Sequence, residues 1–549
     1  MLRSSIFLII LYFFHFSLAV SQHPHRMGHD NKGAVLLPGL VQHQHPISTK
    51  NNEAQQFFNQ GLVMLFGFNR PEAERSFRRA IELDPNASMP YWGLALAMGH
   101  HLNMDNDMDV QLKEANKAIQ KAISLSENGP SVERAYILAL AKRNSEIENP
   151  KGDILDSLYA NAMREMVQQY PDDIDAATFF AEALMSVHRY QWFDAKGKAI
   201  NEAEEIKATL EAILRRNPDH LLANHLYIHL LETSPNPEYA LGSAYRLSTL
   251  ASGPGMGHLI HMPSHIFMTL GEYEKTVKGN NQAVLADEQY IKLTGVKWNV
   301  YTLGYYPHNM HMIVRALMER GDYHRAEQVA NKLAAYVKPA FDQMPMMIDY
   351  YFPNGYFVLL RFHRYDELLE MPKPDSKMFM TSALWHYART LAFAAKGLRD
   401  KAVVEQAAFI EARKRVPADW MWMFNTPEKI LSLAAIIMEA RLEMDEQTEI
   451  KHWREAVVQQ DNLNYDEPPA WYYSVRESLG GSLLRTGQAE EAEIVFRENL
   501  KLYPRNGRTL FGLLESLKLQ KKEIDAEWVK KEIESVWDSS VPPPHIKDL

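Results

Sequence analysis

The 549-residue chain contains no cysteine. Disulfides, thiolate metal sites and cysteine nucleophiles are therefore excluded, and stability must come from packing. Basic residues do not predominate: the formal charge is −10 and there is no long Lys/Arg run. That balance argues against a nucleic-acid surface and is compatible with cations or basic partners. Strand signals are scarce, because no alternating apolar run is bounded by an Asn-Gly or Asp-Gly turn. No phosphate-cradling glycine loop, Gly-x-Ser-x-Gly elbow or paired-carboxylate signature is present. The "GPGMG" at 253–257 reads as a linker turn before a helix. Long apolar runs are also missing. The leading one, Ile6 to about Phe16, is too short for a comfortable membrane span. With Arg3 before it and Ser17-Leu18-Ala19 after it, residues 1–21 read as a signal peptide. The chain is thus expected to be periplasmic or secreted, with no stable membrane span after cleavage. No cysteine follows the small residues, which excludes a bacterial lipoprotein anchor.

Residues 22–50 carry His23, His25, His29, His43 and His45 in a polar, aperiodic setting, and are expected to form a disordered leader. From residue 54 the pattern is helical nearly to the end. In "FFNQGLVMLFGFNRPEAERSFRRAIELDP", Gly61, Ala73, Phe77, Ala80 and Pro85 stand at intervals of 12, 4, 3 and 5. Gly480, Ala492, Phe496, Asn499 and Pro504 repeat those intervals. Small residues let two helices approach, the aromatic fills the next groove, and proline stops the second helix. This resembles the tetratricopeptide repeat (TPR), a helix–turn–helix unit of about 34 residues. The resemblance implies an all-α, right-handed α-solenoid over roughly residues 54–520. Degenerate hairpins at "GEYEKTV", "GDYHRAE", "HRYDELL" and "GLRDKAV" extend it. The expected organisation is a His-bearing solenoid at 51–369, a linker at 370–377, a C-terminal solenoid at 378–535 and an extended tail at 536–549.

Seven histidines stand out: His225 and His229 in "NHLYIHLLE", His258, His261 and His265 in "GHLIHMPSH", and His308 and His311 in "YPHNMHM". Setting the register from Gly271-Glu272-Tyr273 and Gly321-Asp322-Tyr323 puts them at repeat positions 2, 5 and 9. Helix offsets of 0, 3 and 7 lie within roughly 60° of one another, so each set shares one face. The TPR resemblance implies that those positions line the concave groove, on neighbouring helices ~8–10 Å apart. Pro263 interrupts one of the helices and Pro307 opens another, and both placements aim side chains. Imidazole is the commonest protein ligand for transition metals, so the set is expected to hold a divalent ion: zinc, copper or iron. Glu232 is the candidate ligand, base or hydrogen-bond acceptor at the edge. Asn224, Tyr227, Tyr305 and Asn309 are candidates to hydrogen-bond ring nitrogens. The alternative is a non-enzymatic scaffold that docks a peptide or envelope protein in the same groove. The phrases "FNRPEAERSFRRAIELDP", "YWGLALAMG", "NHLYIHLLE" and "GHLIHMPSHI" together resemble exported bacterial TPR proteins carrying a GHLxHMPSH motif. That resemblance singles out the fold and the histidines and implies no activity.

Overall fold

Phe77 shows how the repeat residues build the structure. Its ring lies on α2 (Arg70–Leu83), between α1 (Asn52–Phe66) and α3 (Ser88–Met98). A Cβ on Gly61 of α1 or on Gly93 of α3 would overlap that ring. Phe496 repeats the arrangement near the C-terminus, pressed between Gly480 and Gly512. Helix starts are capped as the sequence suggests: the Asn51 and Asn69 side chains accept the orphan N–H groups of α1 and α2.

The computed structural model describes residues 33–103, 109–144, 152–194, 196–537, 541–542 and 544–549. It is an all-α solenoid: helices follow one another from Asn52 to Val536, and consecutive helices pack on each other. Among the described residues the only β pairing is two isolated bridges, and no helix is long and apolar enough to cross a membrane. The expected signal peptide (1–21) and His23, His25 and His29 lie outside the described residues.

Three boundaries differ from the sequence expectation. Residues 33–50 are not a free leader: Leu37 and Leu40 are buried, and the Gln60 side chain bonds Leu37 N and Val35 O. The linker at 370–377 does not divide the core, since Phe357 and Tyr387 on either side of it meet at 5.8 Å. The apolar core changes hands instead between residues 273 and 301, where its two large clusters overlap. The tail does not extend freely either. Trp537 covers Gly321 and Gly507, and Leu549 is buried on Gly481.

Four helices carry the histidines and a fifth, α7, braces them. They are α4 (Leu221–Glu232), α5 (Gly257–His261), α6 (Pro263–Thr269), α7 (Tyr273–Thr294) and α8 (Tyr306–Arg320). Pro263 separates α5 from α6, and Pro307 stands in the first turn of α8, so both prolines act as the sequence implies. Helix α7 packs against α5, α6 and α8 and fixes their relation. Its Asp287 accepts the Gly257 N–H at 3.2 Å and the Tyr301 hydroxyl at 2.8 Å. The Tyr301 hydroxyl in turn accepts the His258 N–H. A Cβ on Gly257 would overlap the Asp287 carboxylate, so glycine is required by this close approach.

Candidate metal centre

His225 and His229 lie one turn apart on α4 and present their rings to the same side. The α5–α6 break brings His258, His261 and His265 beside them, and the first turn of α8 adds His308. Two triads result: His225, His229 and His258 form one, and His261, His265 and His308 the other. Within each, one ligand atom per residue lies within 4.8 Å of the others. All are buried except His308, which is half-buried.

Partners fix the tautomers of four rings, because a nitrogen that faces a carbonyl or carboxylate oxygen must carry the proton. His225 Nδ1 donates to Phe66 O at 2.6 Å, and His261 Nδ1 to Asn280 Oδ1 at 2.7 Å. His229 Nδ1 donates to Glu232 Oε1 at 2.9 Å, and His265 Nδ1 pairs with Glu232 Oε2. The Nε2 atoms are thereby left as lone pairs. Those of His225 and His229 are buried without a partner, and neither ring nitrogen of His258 has one. The Nε2 atoms of His261 and His265 stand 2.7 Å apart, and His308 Nε2 is 3.1 Å from that of His261. Two lone pairs at that distance need a cation, either a proton or a metal ion.

Glu232 joins the triads, accepting from His229 and pairing as an ion with His265. Burial alone would raise its pKa, but His265 and His229 outweigh that and hold it down at about 2. Burial pushes His225, His258, His261 and His308 well below the ordinary imidazole range, and neighbouring imidazoles add to the effect. His229 is lowered too, by burial against the pull of Glu232. For His265 the Glu232 carboxylate overcomes burial and the pKa is raised. Five imidazoles are thus held toward the neutral form, the one that binds metal, while Glu232 biases His265 toward its charged form, so a metal there would compete with a proton.

Aromatic rings close the site. Phe68 adopts a left-handed backbone (φ 55°), a costly conformation for a bulky residue. It turns its ring onto His225, His229 and His258 at 4.4, 5.9 and 5.1 Å between centroids. Tyr190 meets His229 at 5.8 Å and stacks on Tyr465 of the C-terminal half. Glu467, from the same loop, is half-buried near His265 and Glu232, and desolvation pushes its pKa up to about 7. An open concave groove is therefore not what the histidines line; the site is enclosed.

Of the sequence candidates, Glu232 is the shared acceptor, and six of the seven histidines converge. His311 does not: its ring faces Tyr350, Tyr351 and Tyr472 at 5.3, 6.2 and 6.1 Å. Tyr305 contributes its ring, 4.6 Å from that of His258. Asn224 instead donates to Pro218 O and His220 O at the start of α4, and Tyr227 donates outward to Glu211. Asn309 donates to Asp287, acting on the α5 anchor rather than on a ring nitrogen. Phe66 O, Phe68, Asn280, Tyr190 and Glu467 went unnoticed in the sequence. No spacing rule joins them to the histidines.

A third cluster, His43, His45, Asp175 and His220, has a different character. His220 Nδ1 accepts the Ala223 N–H, so its Nε2 carries the proton donated to Asp175 Oδ1 at 2.8 Å. His43 and His45 meet the other carboxylate oxygen at 3.1 and 2.6 Å. Burial opposes ionisation of Asp175, but these bonds hold it well below the usual carboxylate range. The cluster is a satisfied hydrogen-bond hub that ties residues 43–45 to the solenoid.

No family model matches this chain, and no curated protein does. Among solved structures it is similar to a human IFIT1 dimer with m7Gppp-AAAA (TM-score 0.34, 11% identity, covering 89% of this chain and 91% of that one). It is also similar to yeast Tom70 (TM-score 0.31, 12% identity, 88% and 100% covered). A third is the P58(IPK) TPR domain (TM-score 0.21, 12% identity, 86% and 99% covered).

Proposed function

We propose that this chain is a TPR-like solenoid that holds a divalent transition metal in its buried histidine centre, within a protein exported to the periplasm or the exterior. One observation carries the reading. Three imidazoles donate Nδ1–H outward to protein acceptors, a fourth, His265, pairs its Nδ1 with Glu232, and their Nε2 atoms face inward, the arrangement in which histidine binds metal. Leaving such buried nitrogens unpartnered costs ~1–3 kcal/mol each, which an ion would offset. Three protein ligands per ion leave a coordination position open, as in reactive rather than structural sites. Docking a peptide on these side chains would require them to be accessible, and five of the six are buried.

Elemental analysis of protein made without an affinity tag tests the metal reading. Tightly held metal that falls with His261→Ala is expected. Metal lost on dialysis and indifferent to that substitution would leave a plain scaffold. Export is tested by mass spectrometry of the mature N-terminus, expected near Val20 or Gln22.

A further inference from the structure

We infer that the centre is a two-metal site, with one ion in the His225/His229/His258 triad and a second in the His261/His265/His308 triad, and that copper is the metal it takes. The inference rests on the metal reading above and goes beyond it in nuclearity, identity and charge, taking the resident ions as Cu(I) rather than divalent. Each triad closes on its own, with ligand atoms within 4.8 Å of one another. That spacing suits three imidazoles around one ion at ~2.0–2.1 Å. Six imidazoles exceed the four ligands of a usual tetrahedral site, and the two triads abut. His229 and His265 stand 5.7 Å apart between centroids, and His258 and His261 5.8 Å, no farther than rings within a triad. Glu232 binds one ring of each triad through its two oxygens, so a single carboxylate orients ligands for both ions.

The donor set points to copper. The triads are made of imidazoles alone, and the chain has no cysteine to add a thiolate. Glu232 is committed to Nδ1–H groups on the outer side of the rings. Imidazole nitrogens suit copper well, and copper stands highest in the divalent affinity series. Charge sharpens the choice. Two divalent ions repel about four times as strongly as two monovalent ions at the same distance. Glu232 and Glu467 lie beside the rings to compensate. Two cuprous ions ask less of these carboxylates than two divalent ions, whose four positive charges exceed anything the pair can supply. Among the common metals of imidazole sites, copper alone offers a stable monovalent state.

The test is an anaerobic titration of the tag-free, metal-stripped full chain with Cu(I), in competition with a chromophoric chelator. Two equivalents per chain are expected. His225→Ala and His308→Ala should each lower this to one, with the remaining ion in the untouched triad. After oxidation, two Cu(II) ions at the ~3.5–4 Å of two-metal sites couple magnetically. The resonance signal should then integrate to less than half of the copper present; this readout needs no variant. Binding of one equivalent, abolished by either substitution, would overturn the two-ion inference and leave the metal reading standing. Binding of none, with zinc and iron also refused, would overturn both. Two equivalents of zinc held where Cu(I) is refused would overturn the assignment of copper.

Discussion

Replacing Glu232 by glutamine keeps the shape of the side chain and removes one acceptor oxygen and the charge. The carboxylate accepts from His229 Nδ1 at 2.9 Å on one oxygen and pairs with His265 Nδ1 on the other. Each charge-assisted hydrogen bond contributes ~1.5–3 kcal/mol, so the two together are worth ~3–6 kcal/mol. The carboxylate pKa gives a similar figure. Held at about 2 against an ordinary 4.5, it corresponds to about 3 kcal/mol of preference for the ionised form beside these rings. Glutamine can accept from one ring only, and its amide NH2 confronts the other ring's N–H. That ring must flip or move its proton to Nε2, where it blocks the metal. Metal affinity should fall ~10–100-fold, the usual effect of losing such an outer partner. Chelator competition on the purified variant reads the change directly. Affinity within threefold of the parent, in a variant that folds normally, would refute the reasoning that Glu232 sets the tautomers.

His258→Phe keeps the ring contacts with Phe68 and Tyr305 while deleting two unpartnered nitrogens. Removing two orphans at ~1–3 kcal/mol each outweighs the ~1–3 kcal/mol of overpacking, so thermal unfolding of the metal-free protein should hold or rise while stabilisation by added metal is lost. A variant that still gains full stability from metal would exclude His258 as a ligand. Acidification should destabilise the metal-free protein, because His225, His229, His258, His261 and His308 all titrate below the ordinary 6.5 when folded. The unfolded chain takes up protons first, so stability is full above pH 6.5 and declines below it by up to ~1.4 kcal/mol per histidine per pH unit. His265 has the opposite sign, its contribution being lost as pH rises through its raised value. Five groups outweigh one, and an unfolding midpoint unchanged between pH 7 and 5 would show that the imidazoles are not buried neutral. His311→Ala should leave metal content untouched, since that ring packs among tyrosines; loss of an ion would return His311 to the ligand set.

Helix arithmetic made most of the site readable. His225 and His229 are four apart and Glu232 three further on, so all three share a face, and the structure uses all three together. The same arithmetic, applied more strictly, would have removed three candidates. Asn224 and Asn309 are each one residue from a ligating histidine, ~100° around the helix, and Tyr227 is ~200° from His225. Each points into the surrounding packing instead. His311 lies one short step past His308, ~60° round and ~4.5 Å along α8. That is enough to carry it out of the triad and into the tyrosines of the next hairpins. What no periodicity could reveal is contact across distant sequence. Phe66 O meets His225 from 159 residues away. Tyr465 and Glu467 reach the site only because the solenoid brings its C-terminal loops back over α4 and α6. The repeat pattern specified neighbouring helices, and tertiary closure decided that the histidines would be enclosed rather than exposed in a groove.

The Asp175 cluster supplies an internal comparison for what buried histidines look like when they serve packing. There three imidazoles surround one carboxylate and each gives it a hydrogen bond, so the group is complete as it stands and holds residues 43–45 in place. In the triads the direction is reversed. The hydrogen bonds run outward, to Phe66 O, Asn280 and Glu232, and the unsatisfied atoms converge inward. A core built for stability alone would avoid this, because the same volume filled with leucine and phenylalanine costs no desolvation. Pro263, the left-handed Phe68 and the Gly257–Asp287 anchor each add a local constraint that aims a ring or fixes a turn. On the metal reading proposed above, these constraints gather imidazole nitrogens for an ion to bind. In a chain without cysteine, converging imidazoles would then form a receptor selective for cations that accept nitrogen ligands.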